Sequence, residues 1–407
     1  MVKPNNARLD LATLGAIPLE IWTLGVVSLL MDISSEMIHA LLPIYLVTVL
    51  GTSALVVGII EGIAEATASI TKLFSGALSD WLGKRKLLAA IGYGLAAFTK
   101  PIFPLATGVN WLVAARFIDR VGKGIRGAPR DALIAAISPV ELRGASFGLR
   151  QSLDTVGAFT GPLLAIALMW LLANDMKAVF WFAVVPAFLS MLLIIYGVAE
   201  PERPADLRPI RFPLQPSEIR RLGTPYWFVI AIATMFTLAR FSEAFLILRA
   251  QSAGLAMTLV PAVLVVMNIF YALAAYPAGV LSDTGDRTKV LMTGLILLAT
   301  ADLVLALVPG LVGVTVGVML WGLHMGLSQG LFAALVADTS PAELRGTAFG
   351  IFNLTTGLAL LAASIIAGAL WDAVGPQATF LAGAWFAMTA LFGLVLWRGR
   401  LSMDRPT

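Results

Sequence analysis

Ser138-Pro-Val-Glu-Leu-Arg-Gly-Ala-Ser-Phe-Gly148 returns 202 residues later as Ser340-Pro-Ala-Glu-Leu-Arg-Gly-Thr-Ala-Phe-Gly350. Eight of the eleven positions are identical, far beyond chance. A second pair of segments, Gly76-Ala-Leu-Ser-Asp80 and Gly279-Val-Leu-Ser-Asp283, is offset by 203. One residue has therefore been lost between Asp283 and Gly285, where the first copy reads Asp80-Trp-Leu-Gly83. Two echoes in the same order describe a chain built twice. The seam is visible too: residues 199–224 form the only long polar stretch between the copies, with Glu200, Pro201, Arg203, Pro204, Pro209, Pro213 and Pro216. Clustered prolines and charges read as a linker. The expected units are residues 1–198, a linker at 199–224, and residues 225–407.

What each copy is made of follows from composition. The 407 residues are 59% hydrophobic and only 13% charged, with a mean hydropathy of +0.89. Soluble domains run at about 45–50% apolar and about 25% charged. That gap excludes disorder, a coiled coil and a basic nucleic-acid binder; the lack of cysteine excludes a disulfide scaffold. A helix that crosses a bilayer needs roughly 20 apolar residues. Apolar runs between charged or Pro/Gly-rich breaks give twelve such spans: 20–49, 55–79, 87–106, 111–137, 144–172 and 178–198, then 225–249, 258–281, 289–309, 311–338, 345–371 and 377–397. The first run is too long for a signal peptide and eleven more follow it. The spacing predicts an all-α membrane protein of two pseudo-symmetric six-helix bundles.

Orientation follows from lysine and arginine. Lys84, Arg85, Lys86, Arg143, Arg287, Lys289, Arg345, the linker arginines and the basic residues of both termini make 17 of 28, all on one side; the opposite loops hold Lys177, with Arg249 at an edge. The positive-inside rule then puts both termini and the linker in the cytoplasm of a cell whose inner (plasma) membrane holds the protein. Catalysis finds no foothold. There is no thiol nucleophile, only two histidines (His39 and His324), no nucleophile–base pair, no Walker motif and no metal-ligand set, so the expectation is no enzyme, no cofactor and no metal. Internal repeats of this kind are how transporters build two bundles around a midplane site.

Here the chain resembles the major facilitator superfamily over its whole length. Gly76-x-Leu-x-Asp80-x-x-Gly83-Lys84-Arg85 resembles that family's signature loop between helices two and three. The resemblance implies the major facilitator fold and a gate made by Gly76, Asp80, Gly83 and Arg85. In it Asp80 caps a helix of the other half in the outward-open state, as a carboxylate at a helix N-terminus meets unpaired N–H groups. Lys84, Arg85 and Lys86 equally fit a purely topological role. The repeated loops add Glu141, Arg143 and Asp283 to the gating set. Gly157-x-x-x-Gly161-Pro162 resembles the antiporter motif of drug/proton exporters, although Ala165 and Ile166 stand where its later glycines belong; plain helix packing explains it as well. Asp32 with Leu42-Pro43 resembles those exporters' first-helix motif. Similar sequences with Asp119-Arg-Val-Gly-Lys-Gly-Ile-Arg126 form a prokaryotic subgroup.

Charges inside spans point to function or to pairing, since each is costly in a bilayer. Ser28, Asp32, Ser35, Glu36 and His39 fall on one stripe of span one, and Arg116, Asp119, Arg120, Lys123, Arg126 and Arg130 on one stripe of span four. In the family, helices one, four, seven and ten line the cavity. The second half is thinner: Arg240 and Glu243 in span seven, His324, Gln329 and Asp338 in span ten. For span four, an anion-binding wall and an internal ion-pair network compete. The first half's spans hold seven acids against eight bases, so a self-neutralised network explains most of the cluster. Asp32 and Glu36 are the expected proton-coupling carboxylates, with Arg116, which matches the arginine of the family's helix-four motif; that motif's Gln-Gly is replaced here by Asp119-Arg120. Their alternative is permanent pairing with Arg116 or Arg120. His39, Arg120, Lys123, Arg240, Glu243, His324 and Gln329 are the substrate-binding candidates. The expected activity is proton-coupled export of a small solute by a monomer in the lipid bilayer. Import of an organic anion is the alternative, and a metal-ion carrier fits less well because the 14 methionines show no repeated Met-x-x-Met spacing.

Overall fold

A computed structural model describes residues 16–82, 84–139, 142–200, 219–284, 286–341 and 344–403. Twelve long helices follow the twelve apolar runs: α1 Leu19–Ile44, α2 Ala54–Leu82, α3 Arg85–Thr99, α4 Val109–Ile137, α5 Arg143–Leu171, α6 Met176–Gly197, α7 Thr224–Ala239, α8 Ala262–Thr284, α9 Arg287–Leu307, α10 Gly310–Thr339, α11 Arg345–Ala373 and α12 Pro376–Met403. Eleven spans are long and apolar enough to cross a membrane; α4 fails on composition because seven of its 29 residues are charged.

Proline explains two local irregularities. Pro43 removes a helical N–H near the end of α1, and the chain widens into a π turn at Tyr45–Val49. Pro101 ends α3, and a short turn Ile102–Leu105 completes that span. The other irregularity has no such marker. Span seven breaks between α7 and a second segment, Ala244–Ser252, leaving Arg240–Glu243 non-helical. The freed backbone is satisfied locally. Ser364 Oγ accepts from the Ser242 N–H at 3.2 Å, and Ser242 Oγ accepts from the Ala244 N–H at 3.2 Å.

Three apolar cores show how the helices are arranged. One holds Ile21, Leu24, Ala89, Tyr93, Leu133 and Ile194, all from α1, α3, α4 and α6 at the end where the chain begins. A second holds Tyr226, Val229, Val336, Ala348 and Ile351, all from α7, α10 and α11 at that same end. The third is shared: Leu41, Leu46, Val57 and Phe180 of the first half pack with Phe245, Leu248, Leu264, Trp321 and Ala367 of the second. The halves are thus joined at the end away from the termini and keep separate cores at the other.

The joint is tight because small residues let backbones meet. A Cβ on Gly58 of α2 would lie 2.1 Å from the Ser364 carbonyl oxygen of α11, so only glycine fits there. It is also pinned by charge. Asp372, at the far end of α11, accepts from the Ala54 N–H at 3.0 Å and from the Leu55 N–H at 2.8 Å. A second-half carboxylate thereby caps the first turn of a first-half helix. Thr258 and Asn174 bond at 2.6 Å nearby, again across the two halves.

Candidate functional site

Between the halves, on the termini side of this joint, lies a cavity of about 400 Å³. Its first-half wall is charged: Glu36 and His39 from α1, Glu61 and Glu65 from α2, Arg120 and Lys123 from α4. Its second-half wall is largely aromatic, with Phe236 and Phe241 from span seven, Phe332 from α10 and Phe352 from α11; Arg240 and Glu243 at the span-seven break are its only charges among the described residues.

The charged stripe of α4 is mostly answered by neighbours. Arg116 donates from Nη2 to Glu61 Oε2 at 2.7 Å, with both side chains nearly sealed from solvent (2% and 1% exposed). Lys100 Nζ meets Asp119 Oδ1 at 2.9 Å and Ser35 Oγ at 3.1 Å. Arg120 lies 3.1 Å from Glu65 and 3.9 Å from Asp119. Arg126 stacks on the Tyr93 ring at 4.9 Å, and Arg130 reaches Asp131 at 3.3 Å and Ser28 Oγ at 2.9 Å. Arg150 pairs with Asp154 and lies 3.5 Å from Asp131. Lys123 alone among the α4 bases faces the cavity with no carboxylate within 4 Å and no ring partner among the described residues. Burying ions without partners costs several kcal/mol each, so this network is what lets α4 cross at all.

The same pairs leave the α1 carboxylates free of Arg116 and Arg120, because Glu61 and Glu65 occupy those arginines. Among the described residues Glu36 has only His39 within 4 Å, at 3.8 Å. Asp32 lies one turn away, off the cavity and against α5, with Asp154, Arg126, Lys123 and Arg130 as its charged surroundings. The glycines of α5 seat both acids. A Cβ on Gly157 would stand 2.9 Å from Asp32 Cβ, and one on Gly161 would stand 2.7 Å from Glu36 Cβ. Gly157-x-x-x-Gly161 is thus a packing groove whose occupants are the two carboxylate-bearing turns.

Of the residues singled out from the sequence, Glu36, His39, Arg120, Lys123, Arg240 and Glu243 line the cavity together. Arg116 stands behind Glu61. His324 is fully buried, packed on Phe236 and Trp321 with ring separations of 5.3 and 6.0 Å. Arg85 begins α3, where Glu200 accepts from its N–H at 2.8 Å, and Arg143 begins α5. Pro162 lies within α5. Gly83 and Glu141, and the side-chain positions of Gly76, Asp80, Asp283 and Gln329, lie outside the described residues. Sequence reading missed the aromatic wall, the Asp372 cap and Asp302 of α9. Asp302 alone carried a signal: a lone acid in an apolar span is by default a functional candidate.

A multi-pass bundle with one central cavity, walled by charge on one half and aromatic rings on the other, defines a membrane transporter of small molecules, not an enzyme. A family model described as Major Facilitator Superfamily matches residues 24–267 and 243–406, and the chain belongs to that superfamily. It is 36% identical over 386 residues to an uncharacterised MFS-type transporter of Methanocaldococcus jannaschii, covering 92% of this chain and 94% of that one. A shorter likeness, 30% over 154 residues, joins it to the multidrug resistance protein MdtH of Photorhabdus laumondii, covering 38% of this chain and 37% of that protein. In fold it is similar to a crystal structure of a POT family transporter in complex with a thioalcohol-conjugated peptide, with a TM-score of 0.78 at 10% identity, covering 95% and 99% of the two chains.

Proposed function

We propose that the protein exports a small organic solute across the inner membrane by alternating access, driven by protons, as a monomer with both termini and the linker cytoplasmic. The observation that carries this reading is the placement of Asp32 and Glu36. They sit one turn apart, seated on the α5 glycine groove, Glu36 lining the cavity and Asp32 behind it, and neither has a lysine or arginine within 4 Å among the described residues. Two carboxylates one turn apart repel when both are charged, so a proton on either one relieves that repulsion. Asp154, Arg126, Lys123 and Arg130 surround Asp32, so a rocking of α1 and α5 against α4 changes the charges that face it. That is the requirement for coupling proton movement to solute movement.

With the termini cytoplasmic, the far-end joint is the external seal and the conformation is inward-facing. Residues 1–198 and 225–407 are the rocking bodies. The partial likeness to a multidrug resistance protein supports export. The test begins with a deletion strain grown against panels of toxic compounds and metabolites. Responding compounds are then assayed in proteoliposomes with and without a pH gradient. Asp32→Asn should abolish gradient-driven flux and keep energy-independent exchange; Glu36→Gln should do so partly. Gradient-driven flux at the wild-type rate in the double variant would refute the coupling.

One observation favours a second reading. Lys123 offers the cavity an unpaired cation, which suits a carboxylate or phosphate on the solute. Lys123→Gln separates the two. Import of an organic anion would collapse, whereas export of a neutral or cationic solute would survive.

A further inference from the structure

Asp302 lies in the interior of the second half, about one and a half turns before the end of α9 that meets the joint. It is fully buried, and neither carboxyl oxygen has a hydrogen-bond partner among the described residues. Every element packed on α9 supplies the same answer about charge. On α10 His324 is fully buried, with both ring nitrogens unpartnered among the described residues, and Asp338, about four turns nearer the termini end, pairs with Arg287. At the span-seven break Arg240 and Glu243 hold each other at 3.7 Å. On the segment after the break, Arg249 donates to the Leu305 carbonyl at 2.9 Å and to Ser252 Oγ at 3.4 Å. α8 offers Tyr271, and α12 offers no titratable group among its described side chains. On α9 itself, Arg287 and Lys289 are more than three turns away.

The site is nonetheless built for a carboxyl group. A Cβ on Gly383 of α12 would stand 2.4 Å from Asp302 Oδ2, so glycine leaves the slot that the acid fills. The same point is 3.0 Å from Phe241 Cε1, and Phe241 also lines the cavity. A bare carboxylate here would be stranded without a counter-charge, whereas a neutral acid forfeits only a hydrogen bond.

We propose that Asp302 is a proton-binding site of the second half, separate from the α1 carboxylates, reached from the cavity when Phe241 moves with the break in span seven. This goes beyond the coupling assigned to Asp32 and Glu36 and stands whether or not that assignment holds.

The test is infrared spectroscopy of the full-length protein in lipid at neutral pH, which separates the carbonyl stretch of a carboxylic acid from that of a carboxylate. The wild type should show an acid band that Asp302→Asn removes and that Asp32→Asn with Glu36→Gln leaves in place. Equilibration in heavy water should shift the band, because the proton exchanges through Phe241. An Asp302→Asn spectrum equal to wild type, or a band that never shifts, overturns the proposal. Should the Asn variant fail to fold, Asp302→Val gives a second measurement. A fall in apparent Tm of no more than about 4 °C fits an acid without an ionic partner, and a larger fall overturns it.

Discussion

Asp372→Ala is the sharpest perturbation the joint between the halves permits. It deletes two charge-assisted bonds, to the Ala54 and Leu55 N–H groups at 3.0 and 2.8 Å, and nothing else in the seal. A side-chain cap is worth about 0.5–2 kcal/mol, and a charge at a helix terminus typically adds 0.3–1. Asp372 is exposed, so screening trims the electrostatic part and about 1–2 kcal/mol remains. That raises the ratio of far-end-open to far-end-closed molecules roughly 5–30-fold. The chain has no cysteine, so spin labels can be placed on Cys substituted for Lys177 in the first half and for Val374 in the second, both exposed at that end. Distance distributions between them should gain a longer component in Asp372→Ala, about half as much in Asp372→Asn, and less at high salt. α2 and α11 run antiparallel, and the family resemblance gives Asp80, at the other end of α2, a mirror role of capping a helix of the other half. Asp80→Asn should therefore shift the population the opposite way, and the double variant should return near wild type. A distance distribution indifferent to Asp372→Ala would refute the cap as a determinant of conformation.

Three further outcomes follow from the same contacts. Arg116→Met should destabilise the protein by about 3–5 kcal/mol by stranding buried Glu61, and adding Glu61→Leu should recover most of it; thermal unfolding reads both, and a double variant no better than the single would argue against the pair. Gly161→Ala should cost about 1–3 kcal/mol, since its Cβ meets Glu36 Cβ at 2.7 Å and the Ile33 carbonyl at 2.9 Å; a variant as stable as wild type would mean α1 and α5 do not touch there. Splitting the chain within residues 203–221 and co-expressing the pieces should restore transport, and halves that insert yet never associate would count against two autonomous bundles.

The helix boundaries were legible because each span is an unbroken apolar run with charged or proline-rich flanks. α4 was legible despite its seven charges because six of them lie on one stripe. The break at Arg240–Glu243 was not, since Arg-Phe-Ser-Glu carries neither Pro nor Gly; Ser242 and Ser364, 122 residues apart, compensate it, and no local pattern reports that. The pairing within α4 was predictable as a near-balance of charge but not as partners. The arginines on α4 had several acids in reach, and only three-dimensional packing assigns Glu61 to Arg116 and Glu65 to Arg120. The aromatic wall is invisible in sequence for a different reason: Phe236, Phe241, Phe332 and Phe352 look like any lipid-facing phenylalanines until the bundle turns them inward. Asp372 reads as an ordinary loop acid, because its partners are backbone groups more than 300 residues away.

The ion pairs also sort by how readily a solute could enter them. Arg116–Glu61 and Lys100–Asp119 are short, 2.7 and 2.9 Å, and sealed; separating either would strand a buried ion at about 3–5 kcal/mol. Glu36–His39 and Arg240–Glu243 are long, 3.8 and 3.7 Å, and open to the cavity with 12–25% of each side chain exposed. Pairs of that kind are worth about 0–1 kcal/mol, so a solute bearing a charge can replace either partner at little cost. They stand on opposite halves, Glu36–His39 on α1 and Arg240–Glu243 at the break in span seven. In the alternating-access reading proposed above, a solute that engages both would draw the two halves together at the level of the cavity, against the joint that Asp372 caps at the far end. The tight pairs keep each half rigid while this happens. Binding-defective variants should therefore cluster at Glu36, His39, Lys123, Arg240 and Glu243, and folding-defective ones at Glu61, Lys100, Arg116 and Asp119. A screen that scores surface expression separately from transport would expose any mixing of the two groups.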